Sequence, residues 1–209
     1  MTPLLRTGPA DGLLTVVLAH GAGAPMDSGF MNHIAAGLAE HVAVVRFEFP
    51  YMHRRRVTGK KGGPGSATRL LGFYRDVIKS QGDPSRLIIG GKSMGGRIAS
   101  MIADECGVAG LLVLGYPFHP PGKPERLRTE HLATLTTPSL ILQGERDALG
   151  RREEVAGYTL SPSITVSWLP DGDHSLKPRK SSGHTEKENL DRAVAQAAAF
   201  CSRIEGAGC

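Results

Sequence analysis

The chain predicts a single α/β domain over residues 1–209, built on a mostly parallel central sheet of six to seven strands with helices on both faces. Three observations carry that expectation. Short β-branched or leucine-rich runs alternate with longer stretches of helical periodicity, the rhythm of successive strand–helix–strand units. The runs are almost continuously apolar, which suits strands covered on both faces. Glycine-, proline- and aspartate-rich turns separate them, and no repeat, low-complexity block or linker interrupts the order.

One weak strand fits before Leu14. Leu14–Ala19 reads as a buried strand stopped by His20-Gly21-Ala22-Gly23. Phe30–Glu40 reads as a helix, with Asp27 or Ser28 offering the capping oxygen. Val42–Phe47 is the next strand and Pro50 closes it. A basic, glycine-rich loop follows, and Ser66 caps a helix to about Ser80, where Leu70, Leu71, Tyr74, Val77 and Ile78 recur at helical spacing. Gly82-Asp83-Pro84 turns the chain into strand Arg86–Gly90, then helix Met94–Glu105 and strand Ala109–Leu114. Pro117, Pro120, Pro121 and Pro124 make a loop before a short helical stretch near Glu125–Leu135. Strand Ser139–Gln143, a helix around Arg151–Gly157, strand Ile164–Leu169 and an alanine-rich helix His184–Ile204 complete the order.

Composition narrows the function. With 40% hydrophobic and 22% charged residues, the chain is far from the signature of disorder. The longest apolar run, Leu13–Ala19, is far short of the ~20 residues that span a bilayer. No basic segment followed by an apolar one opens the chain, so neither membrane insertion nor a secretory leader is expected. The three cysteines, Cys106, Cys201 and Cys209, form no metal-binding spacing, and read as reduced thiols of a cytoplasmic protein. The net charge of +5 equals the run Arg54, Arg55, Arg56, Lys60 and Lys61. A solvated basic loop is the plainer reading of that run. The sharper one puts Arg54 and Arg55 at the mouth of a site that prefers an anionic substrate. Aromatic content of 5% leaves little material for the base-stacking platforms of a single-strand binder.

The chemistry centres on Gly91-Lys92-Ser93-Met94-Gly95, which runs out of one predicted strand into a predicted helix. In that context G-x-S-x-G is a nucleophile elbow: the serine sits on a sharp, strained turn that lifts its hydroxyl above the sheet. Side chains two residues to either side would collide, hence Gly91 and Gly95. Gly96 lets the helix approach the neighbouring strand. The Met94 N–H, at the helix start, would face a developing oxyanion. A P-loop is excluded, because Arg86 stands where its first glycine belongs and Leu87-Ile88-Ile89 reads as strand.

A serine hydroxyl needs a base, and the base an orienting carboxylate. Chain order Ser, acid, His, each after a later strand, selects Asp147 from Gln143-Gly144-Glu145-Arg146-Asp147 and His174 from Asp171-Gly172-Asp173-His174. Glu145 lies two residues too early, and Asp173 adjoins the base itself. His20 reads as a stabiliser of the first turn, whereas His119 follows a strand and can line the mouth. The small residues of His20-Gly21-Ala22-Gly23-Ala24-Pro25 permit close backbone approach, so Ala22 is the choice for the second oxyanion N–H, with Gly23 beside the substrate.

These residues carry a resemblance. The chain resembles the α/β-hydrolase superfamily from about Leu13 to the final helix. More narrowly, His20-Gly21-Ala22-Gly23-Ala24-Pro25-Met26-Asp27-Ser28 together with Gly91-Lys92-Ser93-Met94-Gly95-Gly96-Arg97 looks like a small family described as similar to dienelactone hydrolases. The superfamily implies the α/β-hydrolase fold and an acyl-enzyme mechanism by Ser93, His174 and Asp147, with no metal and no organic cofactor. Dienelactone hydrolases often use a cysteine where this chain has Ser93, which separates it from their substrate. The chain leaves no room for an inserted cap domain, so an open mouth for a small-molecule ester is expected. Two other classes stay open: a noncatalytic interaction module on the same fold, and a nucleic-acid-associated protein using the basic run. Oligomeric state is not encoded in these motifs.

Overall fold

Seven strands form one sheet: β1 (Leu4–Thr7), β2 (Thr15–Ala19), β3 (Ala43–Phe47), β4 (Leu87–Lys92), β5 (Gly110–Leu114), β6 (Ser139–Gly144) and β7 (Ile164–Leu169). They come from a computed structural model that describes residues 3–9 and 12–207; the reading of Cys209 as a free thiol lies outside them. The order is β1-β3-β2-β4-β5-β6-β7, and every neighbouring pair is parallel except β1 with β3. The weak strand expected before Leu14 is therefore the antiparallel edge.

Alternation along the strands divides the core in two. Val17, Val45, Ile89 and Leu111 face one way and pack with Tyr74, Val77, Ile98 and Ala99. Val16, Val44, Ile88 and Leu112 face the other way and pack with Ile34, Leu38, Ala193 and Ala197. The first layer is made by α2 (Pro50–Thr58), α3 (Ala67–Ser80), α4 (Met94–Ser100), α5 (Ala103–Cys106) and α6 (Arg152–Val155). The second is made by α1 (Gly29–Leu38) and α7 (Glu186–Ala207). Ser28 and Ser66 cap α1 and α3 by accepting the N–H groups of Met31 and Arg69, each at 3.4 Å. Among the described residues no cap domain stands over the carboxyl edge of the sheet, and no helix is long and apolar enough to cross a membrane.

Three expectations need correction. Pro50 does not merely close β3; it opens α2, so Arg54, Arg55 and Arg56 sit on a helix rather than in a loop. Proline at the first helical position presents no missing bond, and Gly59, at φ 68°, ends the helix in a left-handed turn. With Tyr51 and Met52 alone buried, α2 carries too narrow an apolar stripe to register as periodicity. The helix expected over Met94–Glu105 breaks into α4 and α5 at Ile102, whose ψ is 0°. Near Glu125–Leu135 only a 3-10 turn forms, at Glu130–Ala133. Arg128 N–H is pinned to the Phe118 carbonyl at 2.8 Å, which holds the segment extended and leaves Leu127 exposed.

Candidate active site

Ser93 joins β4 to α4 with φ 51° and ψ −113°, a backbone conformation costly for any residue with a Cβ. The neighbouring glycines make it possible. A Cβ on Gly91 would come within 2.2 Å of the Ala19 carbonyl oxygen. One on Gly95 would lie 2.7 Å from the carbonyl oxygens of both Ala19 and His20, and one on Gly96 would lie 2.4 Å from Val113 on β5. Three absent side chains let α4 rest on β2 and β5 with the serine hydroxyl raised above the sheet.

Two loops at the same carboxyl edge reach it. Ser93 Oγ lies 2.7 Å from His174 Nε2, and His174 Nδ1 lies 2.7 Å from Asp147 Oδ2. Asp147 is fully buried, and both of its carboxylate oxygens are engaged: Oδ1 accepts the Leu149 N–H at 2.8 Å, and Oδ2 also accepts Gln143 Nε2 at 2.8 Å. Gln143 Oε1 in turn accepts the Tyr116 N–H at 2.7 Å. A buried carboxylate is tolerable only with such a full set of donors. The imidazole is thus oriented from behind and half-open in front, its side chain 29% exposed.

The glycine loop after β2 forms the opposite wall. His20 Nε2 accepts the Phe49 N–H at 3.1 Å, so its proton lies on Nδ1, which donates to the Gly21 carbonyl at 2.6 Å. Burial lowers the His20 pKa and keeps the ring neutral. The Tyr51 hydroxyl donates to the Ala22 carbonyl at 2.9 Å and approaches that of Gly21 at 3.4 Å; burial pushes its pKa up to about 12, so it stays a donor. In a trans peptide N–H and C=O point opposite ways. With the Gly21 carbonyl held toward His20 and Tyr51, the Ala22 N–H is turned away from them. The Met94 N–H, in the first turn of α4, has no intrahelical partner.

Between these walls lies a cleft of about 390 Å³ lined by residues that include Ala22, Gly23, Phe30, Lys92, Ser93 and His174. The Lys92 ammonium donates to the His174 carbonyl and lies 5.4 Å from the centre of the Phe30 ring. Burial brings its pKa down to about 8, against the pull of Asp147 and Asp173. Of the expected substrate contacts, Gly23 lines the cleft and Arg55 reaches its rim, 3.4 Å from the Gly23 carbonyl. Arg54 is exposed elsewhere on α2. His119 does not reach the cleft: its ring is buried, with Nδ1 2.9 Å from the Pro120 carbonyl and Nε2 3.5 Å from Glu154. Arg56 is spoken for by Glu48 and Asp27, at 2.6 and 2.7 Å. Sequence reasoning passed over Gln143, Tyr51 and Lys92. The polar Gln143 inside an otherwise apolar strand end was the one available signal.

A parallel sheet, a strained serine at a strand-to-helix turn and a histidine–carboxylate pair on later loops define a hydrolase of the α/β class. A family model described as an alpha/beta hydrolase domain matches residues 13–202, and the chain belongs to that family. Solved structures agree at the level of fold. A serine hydrolase homologue from Coxiella burnetii is 20% identical with a TM-score of 0.63, covering 96% of this chain and 89% of that one. Est1E from Butyrivibrio proteoclasticus, with ferulic acid bound, is 16% identical at TM-score 0.69, covering 96% and 95%. A serine hydrolase without lid from Xanthomonas campestris is 19% identical at 0.63, covering 96% and 86%. A search of curated proteins found no match.

Proposed function

We propose that the protein is a serine esterase or thioesterase that cleaves small acyl esters through an acyl-enzyme on Ser93. The unbroken hydrogen-bond chain from Ser93 through His174 to Asp147 carries this reading. As Ser93 Oγ attacks the substrate carbonyl carbon, His174 Nε2 takes the hydroxyl proton, and the buried Asp147 carboxylate stabilises the imidazolium. The carbonyl oxygen becomes an oxyanion held by the N–H groups of Met94 and Ala22. The carbon–leaving-group bond then breaks, and Nε2 returns the proton to the departing alcohol or thiol. Water, deprotonated by the same nitrogen, attacks the acyl carbon, and Ser93 leaves with the proton. No metal or organic cofactor enters these steps.

The open mouth supports small or extended substrates rather than long buried tails, in one domain of a cytoplasmic protein. Serine in place of cysteine supports ester chemistry outside the dienelactone reaction, whatever kinship the HGAGAPMDS and GKSMGGR motifs reflect. A fluorophosphonate probe tests the reading directly. Wild type should be labelled and should turn over short-chain p-nitrophenyl esters, whereas Ser93→Ala should do neither. Equal silence of both proteins would reject the esterase and favour an interaction module on the same fold.

A further inference from the structure

Beside the elbow, on α4 and the segment packed against it, positive charge gathers with no carboxylate within ion-pair distance among the described residues. Arg97 lies one turn beyond Ser93, its N–H bonded to the Ser93 carbonyl at 2.9 Å. Its side chain leans back toward the helix start, and so toward the carboxyl edge of the sheet. Its Nε is buried without a hydrogen-bond partner. Arg128 lies on the segment that follows β5. That segment is tied down twice: Arg128 N–H donates to the Phe118 carbonyl, and the buried Tyr116 hydroxyl donates to the Arg128 carbonyl, both at 2.8 Å. His131 completes the group, its Nε2 2.8 Å from Ser100 Oγ on α4.

Among the described residues neither Arg97 nor Arg128 has a carboxylate within ion-pair distance. The cation of Arg97 also acts on its neighbours. Burial and the cation of Arg97, joined by that of Arg126, lower the pKa of Arg128. Burial and Arg97 likewise lower that of His131, only partly offset by Glu130. Several other arginines near this edge are matched: Arg56 to Glu48 and Asp27, Arg146 and Arg179 to Asp171, Arg152 to Glu145. Partly desolvated cations brought together from two chain segments, α4 and residues 128–131, form an unfavourable arrangement that an oxyanion would relieve. A planar fork of guanidinium donors suits a carboxylate or phosphate better than a halide.

We propose that Arg97 and Arg128, with His131 and Ser100 beside them, form a seat for a carboxylate or phosphate borne by the substrate, next to the nucleophile. This places an anionic group on the substrate class. It rests on the esterase reading only for the clause that the anion is borne by the substrate; the seat itself does not need it.

The test therefore has two arms, each run on the wild type, Arg97→Met, Arg128→Met and Arg69→Met. The last removes the same charge from an exposed position on α3. In the first arm inorganic phosphate is titrated at constant ionic strength and binding is read by calorimetry. Wild type and Arg69→Met should bind it, and either seat substitution should weaken binding about tenfold or more. In the second arm kcat/KM is compared for p-nitrophenyl butyrate and the p-nitrophenyl half-ester of succinate. The charged ester should be preferred, and that preference should fall about tenfold in the seat variants but not in Arg69→Met. Phosphate binding that ignores both seat substitutions overturns the proposal. Binding that depends on the arginines with no preference for the charged ester overturns the substrate-borne anion and leaves a free-anion site. If no ester is turned over at all, the esterase reading fails while the first arm still decides the seat.

Discussion

Gln143 shows how much of a site is set by residues that never meet a ligand. It spans the Asp147 carboxylate and the Tyr116 backbone from inside the sheet edge. Gln143→Leu would strip a donor from Asp147 and leave the Tyr116 N–H unpaired. The expected cost is about 2–4 kcal/mol of stability in urea unfolding, and any turnover of p-nitrophenyl esters should fall on the order of tenfold as the His–Asp pair loosens. Lys92 offers a second test, through pH. Its pKa lies near 8 in the folded chain against 10.5 ordinarily. Below about 8 the ammonium is charged whether the chain is folded or not, so the stability difference between wild type and Lys92→Met is constant. Between 8 and 10.5 the unfolded chain holds the extra proton, so wild type gains relative to the variant as pH rises. Measured by urea unfolding at pH 7 and pH 10, the stability difference between the two proteins should shift toward wild type by an amount on the order of 1–3 kcal/mol. Little of either role was readable from the sequence, the polarity of Gln143 at an apolar strand end being the one hint. A lysine at the variable position of the elbow and a glutamine ending a strand carry no periodic or motif signal, and their meaning arises only when loops 82 and 27 residues away fold over them.

At the scale of elements, the glycines of the elbow separate two kinds of constraint. Gly96 is limited by space: a methyl group there meets Val113 on β5 at 2.4 Å and the Gly91 carbonyl oxygen at 2.7 Å. Gly96→Ala should push α4 off the sheet, costing about 1–3 kcal/mol and moving Ser93 with it, so melting temperature and turnover should fall together. Gly59 is limited by dihedral angle alone, with φ 68° and open space around it. Gly59→Ala should cost only about 1 kcal/mol and leave turnover intact, as measured on the same two scales. The elbow was readable because its steric demands act over five consecutive residues. The strands were readable because both of their faces are covered. α2 was not, since a helix held by a proline start, a glycine stop and two buried side chains leaves almost no hydrophobic pattern.

Across the whole molecule, Tyr74 joins the sheet to its first helical layer. Its fully buried hydroxyl donates toward the Val17 and Gly90 carbonyls, at 2.8 and 2.6 Å, and accepts the Gly90 N–H at 2.9 Å. Gly90 itself allows β4 to lie close to β5, a Cβ there falling 1.8 Å from the Leu112 carbonyl oxygen. Tyr74→Phe should lower stability by about 1–3 kcal/mol in denaturant unfolding while leaving Ser93 reactive toward the fluorophosphonate. The order of strands around this point follows from chain connectivity that local sequence does not contain. The sequence reading could therefore state a parallel sheet and place Ser93, Asp147 and His174 at its carboxyl edge, but could not foresee which loop neighbours which.

The clamp on the glycine loop has a thermodynamic consequence. A run of Gly, Ala and Gly left to itself wanders among many shapes. Here Tyr51 and His20 fasten two successive carbonyls to the body of the protein. The freedom of that lip is surrendered once, during folding, instead of afresh with every molecule that arrives. A guest entering the cleft meets a wall already in its working shape.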